Sequence, residues 1–310
     1  MPRGLPRAAL RLDIGHRVST VQGSSVQTQR PELPAHTVGD VAGPLTIYFH
    51  GAPGAPRELE VFDLPARACG LKLLCWDRFA LDEALTGPTY FAALAEAVRA
   101  AAGARQVHLV GFSIGACFAL HTSRLLGAQV GQLHLVSAGA PLQSGPFLPR
   151  MAGRAVFQAA IASPTLFKGL TLGQAALARW APDAMQSALF RGAASVERVL
   201  ASDPVFRLSM NQILRCSLLD NRAGYVRDIL AYVQDWTSVP AQVTADTTLW
   251  HGSLDNWTPP GMASCLQGRL PNCRRLNLLE GLAHFSCLHR AAPLICRQLA
   301  EPRQGRLGAR

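Results

Sequence analysis

Along the chain, short apolar runs alternate with segments whose apolar residues recur three or four positions apart. The first pattern predicts buried strands and the second amphipathic helices. Residues 1–43 are irregular: Leu10 to Val21 is compatible with a short strand or two, and the polar, Pro-bearing stretch from Gly23 to Pro34 reads as a loop. From Pro44 the signal sharpens. Leu45 to Phe49 predicts a strand that runs into a turn cluster, His50-Gly51-Ala52-Pro53-Gly54. A helical pattern follows to about Ala68. Leu71 to Trp76 lacks alternation, as expected of a strand covered on both faces. Thr89 to Ala104 carries Phe91, Leu94, Ala95 and Val98 at helical spacing. Gln106 to Gly111 predicts a third clear strand, Ile114 to Leu126 a helix, and Leu133 to Ser137 a fourth strand.

The pattern then changes. From about residue 140 to 239 it is helical, with no convincing strand. Strands resume at Thr247 to Trp250 and Arg275 to Leu279, and Pro260 to Leu270 and Ala291 to Leu299 read as helices. Alternating strands and helices predict an α/β fold: a mostly parallel sheet with helices on both faces. The expected organisation is an N-terminal segment (1–43), a core formed by 44–139 and 240–300, a helical insertion at 140–239, and a basic tail at 301–310.

Composition narrows the function classes. Of the 310 residues 49% are hydrophobic and 16% charged, which excludes intrinsic disorder. No uncharged apolar run reaches the length of a membrane span. The net charge is +10, from 30 Lys+Arg against 20 Asp+Glu. The arginines are scattered, with no basic stripe and no interleaved aromatics, so no nucleic-acid partner is expected. The eight cysteines (Cys69, Cys75, Cys117, Cys216, Cys265, Cys273, Cys287, Cys296) form no C-x-x-C pair and no zinc-finger spacing. They read as reduced thiols. Arg3, Arg7 and Arg11 lie near the N-terminus without an apolar signal-peptide core, so a cytoplasmic location is expected. No metal and no cofactor are implied.

Gly111-Phe112-Ser113-Ile114-Gly115 follows an apolar strand and opens a helix, the setting of a nucleophile elbow. Small residues on either side let strand and helix approach, which lifts the serine hydroxyl above the sheet. A serine needs a base, and the base needs an orienting carboxylate. His284, in Gly281-Leu282-Ala283-His284-Phe285, follows the last predicted strand. Asp255 follows the strand before it, in a loop closed by Pro259-Pro260. Each candidate therefore sits at a strand's carboxyl end, where ligands gather. His108, His121 and His134 fall inside strand or helix patterns and read as packed, His16, His36 and His289 have no motif, and His50 reads as holding its own loop. Cys117, one turn after Ser113, reads as helix packing. A tetrahedral oxyanion needs N–H donors. Ile114 supplies one and Ala52 the other, because Pro53 has no N–H. Phe112, beside the serine, is expected to contact substrate.

The His-Gly-Ala-Pro-Gly loop, the Gly-Phe-Ser-Ile-Gly elbow, Asp255 and His284 together resemble the α/β-hydrolase superfamily. The likeness lies within its cap-bearing branch of esterases, lipases and peptidases, over roughly residues 44–300. The resemblance implies an eight-stranded, mostly parallel sheet and makes 140–239 the cap. Two departures stand out. Asp77-Arg78-Phe79-Ala80 keeps only the start of the branch's D-x-x-G-x-G-x-S segment, and His50-Gly51-Ala52-Pro53-Gly54 is only a partial match to the His-Gly-Gly-Pro-Gly of proline iminopeptidases. The expected activity is hydrolysis of a carboxylic ester or related acyl compound, with a small apolar acyl substrate. Aminopeptidase, thioesterase, carbon–carbon hydrolase and acyltransferase chemistry use the same residues. A low-turnover binding protein on this fold is the reading from another class.

Overall fold

The structure, a computed structural model, describes residues 33–301. The strands expected within Leu10–Val21 and the tail beyond residue 301 lie outside the described residues.

Seven strands make one sheet: β1 (Ala35–Gly39), β2 (Leu45–Phe49), β3 (Lys72–Trp76), β4 (Val107–Phe112), β5 (Val130–Val136), β6 (Asp246–Gly252) and β7 (Cys273–Leu279). Their order is β1-β3-β2-β4-β5-β6-β7. The sheet is parallel except for β1, which runs antiparallel to β3 at the edge. It is thus one strand shorter, among the described residues, than the resemblance implies. β1 itself falls in a stretch whose sequence reads as irregular; in Ala-His-Thr-Val-Gly only Val38 is buried, so no apolar periodicity marks it.

The described residues also form eleven α-helices: α1 (Asp63–Ala68), α2 (Gly87–Ala102), α3 (Gly115–Leu126), α4 (Arg154–Ala162), α5 (Pro164–Trp180), α6 (Pro182–Phe190), α7 (Ser195–Ser202), α8 (Pro204–Arg215), α9 (Arg222–Tyr232), α10 (Gly261–Arg269) and α11 (His284–Ala300). Central strands are buried nearly end to end. Ile47, Leu109, Leu133 and Leu249 lie at 0–1% exposure, in one core cluster with Phe118 and Ala119 of α3 and Ile295 of α11. Each such side chain contributes about 1.5–3 kcal/mol by leaving water.

Between β5 and β6 the described chain is helical, from α4 to α9. Two of these helices start on strong local signals. Ser163 Oγ accepts from Leu166 N and Asp203 Oδ1 from Phe206 N, each followed by Pro at the first helical position. α8 runs on into a π-helical turn, Cys216–Asp220. Such turns recur at functional sites, and this one reaches the His50 loop, as described below.

Sheet register positions the site. Phe49 pairs with Gly111, Phe112 with Val136, and Val136 with Trp250. The carboxyl ends of β2, β4, β5 and β6 therefore finish at one level. The loops that follow them (His50–Gly54, Ser113, Ser137 and Ser253–Pro260) open on the same edge.

Candidate active site

Ser113 stands between the end of β4 and the start of α3 with φ +57°, in the left-handed region. A non-glycine residue held there costs of the order of 1–3 kcal/mol. Two backbone bonds hold the turn: Ser113 N–H donates to Val136 O at 3.0 Å, and Gly139 N–H donates to Ser113 O at 3.0 Å. The flanking glycines are required by contact. A Cβ on Gly111 would lie 2.7 Å from Ala116 Cα, and one on Gly115 would collide with the Phe49 and His50 carbonyl oxygens.

His284 is the first residue of α11, and Asp255 lies in the β6–α10 loop; both are buried. His284 Nδ1–H donates to Asp255 Oδ2 at 2.8 Å, which leaves Nε2 as the free ring nitrogen. The other carboxylate oxygen, Oδ1, accepts from Trp257 N at 2.9 Å and Thr258 N at 3.0 Å. Thr258 Oγ1 lies 3.0 Å from Asp255 Oδ2 and 2.9 Å from Ser137 O. Burial pushes the Asp255 carboxyl up. His284, His251 and the Thr258 N–H outweigh it, so the group ends below the ordinary carboxylate range. The imidazole is also fixed by its faces. The Phe112 ring is 4.8 Å from it, and Trp257 stacks on it at 5.3 Å with planes 18° apart.

The Phe112 ring is fully buried and packs on His284 and Phe285, and a Cβ on Gly51 would lie 3.5 Å from the ring's edge.

The His50 loop faces the elbow. A Cβ on Gly51 would lie 3.4 Å from Ser113 Cβ. Among the described residues, neither Ala52 N–H nor Ile114 N–H donates to a partner. Both predicted oxyanion donors are thus uncommitted. His50 is structural, as expected: it is buried, its Nδ1–H donates to Gly51 O at 2.8 Å, and burial beside Arg78 pushes its pKa well down. Cys117 is fully buried and its thiol is pushed well up, in keeping with helix packing.

Several residues at this site carry no sequence signal that singles them out. Glu58, buried, accepts from Gly51 N at 2.8 Å and from Tyr48 Oη at 3.0 Å; burial raises its pKa to about 7. Arg78, fully buried, donates to His50 O at 2.6 Å and Gly51 O at 3.0 Å and pairs with Asp228 of α9. Ser217, in the π turn, accepts from Gly54 N at 2.8 Å. Asn256, next to Asp255, donates to Gly192 O at 2.8 Å and accepts from Ala152 N at 2.7 Å. Glu197 of α7 receives Phe285 N, Ser286 N and Ser286 Oγ at the start of α11. The helical segment between β5 and β6 is therefore tied to the His50 loop, the Asp255 loop and the His284 helix. Among the described residues no cluster of three or more His, Cys, Asp or Glu is disposed to hold a metal ion, and no helix is long and apolar enough to cross a membrane.

Against known families, residues 47–291 match the model of the α/β-hydrolase fold. The chain belongs to that family. This α/β hydrolase shares its fold with a bromoperoxidase from Bacillus anthracis (17% identity, 86% of this chain and 93% of that one, TM-score 0.62). An enol-lactonase from Burkholderia xenovorans LB400 is similar to the same degree (15%, 87% and 96%, TM-score 0.62). So is a proline iminopeptidase from Mycobacterium smegmatis (14%, 86% and 94%, TM-score 0.58). No curated protein matches the sequence. At these identities the likeness is one of fold, and the chemistry has to be argued from the site.

Proposed function

We propose that this α/β hydrolase is a serine hydrolase of carboxylic esters or closely related acyl compounds. The observation that carries the reading is the buried His284 Nδ1–Asp255 Oδ2 hydrogen bond of 2.8 Å, with a serine held at φ +57° directly after Phe112, whose ring is 4.8 Å from the imidazole. In this reading Ser113 Oγ attacks the acyl carbonyl carbon and its proton passes to His284 Nε2. Asp255 keeps the proton of the free imidazole on Nδ1 and stabilises the imidazolium that forms. The Ala52 and Ile114 N–H groups receive the oxyanion, whose charge is worth most to a donor in a dry site. Collapse expels the leaving group with the proton from Nε2. Water, deprotonated by the same nitrogen, then releases the acid from Ser113.

The helical segment 140–239 acts as the cap. Its apolar residues near the base, Phe190 and Phe206, pack on Phe285 and, for Phe190, on Trp257, which favours an apolar acyl group. Aminopeptidase, thioesterase and acyl-transfer chemistry would use the same atoms. A panel of chromogenic esters, thioesters and aminoacyl anilides, run on wild type and Ser113→Ala, separates them. Turnover of esters with a pre-steady-state burst, lost in Ser113→Ala, supports the reading. Turnover of anilides alone would assign a peptidase. A folded protein that turns over none of them would favour a binding role on this fold.

A further inference from the structure

The N-terminus of α11 lacks a cap of its own. A helix start leaves its first N–H groups without partners, and a Ser, Thr, Asp or Asn before the helix normally accepts one. Here that position is Ala283, which has no side-chain acceptor. Ser286 Oγ turns back to accept from Ala283 N at 2.8 Å, so it serves the residue outside the helix. The helical N–H groups of Phe285 and Ser286 are left to a residue 88 and 89 positions away: Glu197 on α7.

Glu197 is 0% exposed. One carboxylate oxygen accepts from Phe285 N; the other accepts from Ser286 N at 3.1 Å and from Ser286 Oγ at 2.8 Å. A buried carboxylate is costly unless its lone pairs are filled, and here all three donors come from the first turn of one helix. The first residue of that helix is His284. Its ring hangs from a backbone that Glu197 holds on one side and Ser137 Oγ, donating to His284 O at 3.1 Å, on the other.

We infer that Glu197 is a positioning residue for the base: it fixes the first turn of α11 and so makes the placement of the His284 ring depend on the docking of α7. The inference rests on the serine-hydrolase reading above. Glu197 touches neither substrate nor reacting atoms, so its loss acts on the Asp255–His284 geometry. A misplacement of about 1 Å at a catalytic group costs about a hundredfold in rate, and partial loosening costs less.

The test compares wild type with Glu197→Gln, Glu197→Ala and Phe167→Leu. The last loosens the helical segment at a buried site, Phe167, away from α11. Two signals are read on folded protein: the low-field proton resonance of His284 Nδ1–H, and the rate at which a fluorophosphonate labels Ser113. The resonance should broaden or move upfield in Glu197→Ala, with labelling slowed about ten- to a hundredfold. Glu197→Gln, which keeps the shape and one acceptor oxygen, should fall between it and wild type. Phe167→Leu should lose stability but keep both signals. Should Glu197→Ala not fold, Glu197→Gln carries the test. Unchanged resonance and labelling in a folded Glu197→Gln, or equal losses in Phe167→Leu, overturn the inference and leave the hydrolase reading standing. A wild type that never labels overturns that reading, and the inference with it.

Discussion

Trp257 lies face to face with the His284 imidazole, ring centroids 5.3 Å apart and planes within 18°. It stands two residues after Asp255, so one short loop supplies both the carboxylate at the ring's edge and the indole on its face. An aromatic face stabilises a cation by about 0.5–2 kcal/mol when solvent is excluded. The imidazole becomes a cation only as the serine proton is transferred. Trp257→Leu should therefore lower kcat by about three- to thirtyfold and change KM little. A rise in KM at constant kcat would instead make Trp257 a wall of the substrate site.

Asp255→Asn retains the side chain's shape and removes its charge. The amide would favour the wrong imidazole tautomer, and kcat should fall by about a thousand- to ten-thousandfold. Steady-state kinetics on an activated ester, with circular dichroism to confirm folding, check this. A loss under tenfold would mean that the Asp255–His284 bond is structural.

Glu58 gives the fold a pH dependence of known sign. Its carboxyl titrates near 4.5 when exposed and at about 7 in the fold, because burial disfavours its charge. A group raised in this way contributes stability fully below its unfolded value, and that contribution is lost as pH rises through the folded one. Relative to Glu58→Gln, wild type should lose up to about 3 kcal/mol between about pH 4.5 and pH 8. Urea unfolding of both proteins at the two pH values measures the difference. Parallel stabilities would show that Glu58 is ionised across the range.

Arg78 and Asp228 are a buried ion pair, and Tyr90 Oη donates to the same carboxylate at 2.7 Å. Removing Asp228 strands the Arg78 charge, whereas removing Arg78 leaves Asp228 with only the longer ion-pair contact to Arg227, at 3.8 Å. Asp228→Asn or Arg78→Met alone should cost about 3–5 kcal/mol, and the double variant should cost less than the sum of the two. Either Arg78 variant also frees the His50 and Gly51 carbonyls, so activity should fall more for Arg78→Met than for Asp228→Asn. A double-mutant cycle by denaturant unfolding gives the coupling, and additivity would contradict it.

The elbow was readable because its chemistry is local. Gly111, Ser113 and Gly115 are neighbours in sequence, and steric contact at the two glycines excludes a side chain there. The placement of Asp255 and His284 just beyond β6 and β7 is legible because the apolar residues of Thr247–Trp250 and Arg275–Leu279 mark those strands. The setting of Phe112 is not legible in this way: being next to Ser113 in sequence says nothing about its ring packing on His284 and Phe285. β1 escaped notice because an edge strand with one buried residue has no periodicity to show. The sequence pattern predicts the last helix from Ala291, whereas α11 starts at His284, because Ala283 offers no capping signal and Pro293 lies inside the helix. Glu197 supplies that cap from 88 positions away. Glu58, Arg78 and Asp228 were silent as well, because their roles exist only once distant segments meet.

The account turns on whether Ser113 is an activated nucleophile. The most direct measurement is the intact mass of the protein after reaction with a fluorophosphonate, for wild type and Ser113→Ala side by side. An activated Ser113 gives one phosphonyl adduct on wild type, located at Ser113 by peptide mapping, and none on Ser113→Ala. Equal labelling of both proteins, or none on a folded wild type, would contradict it.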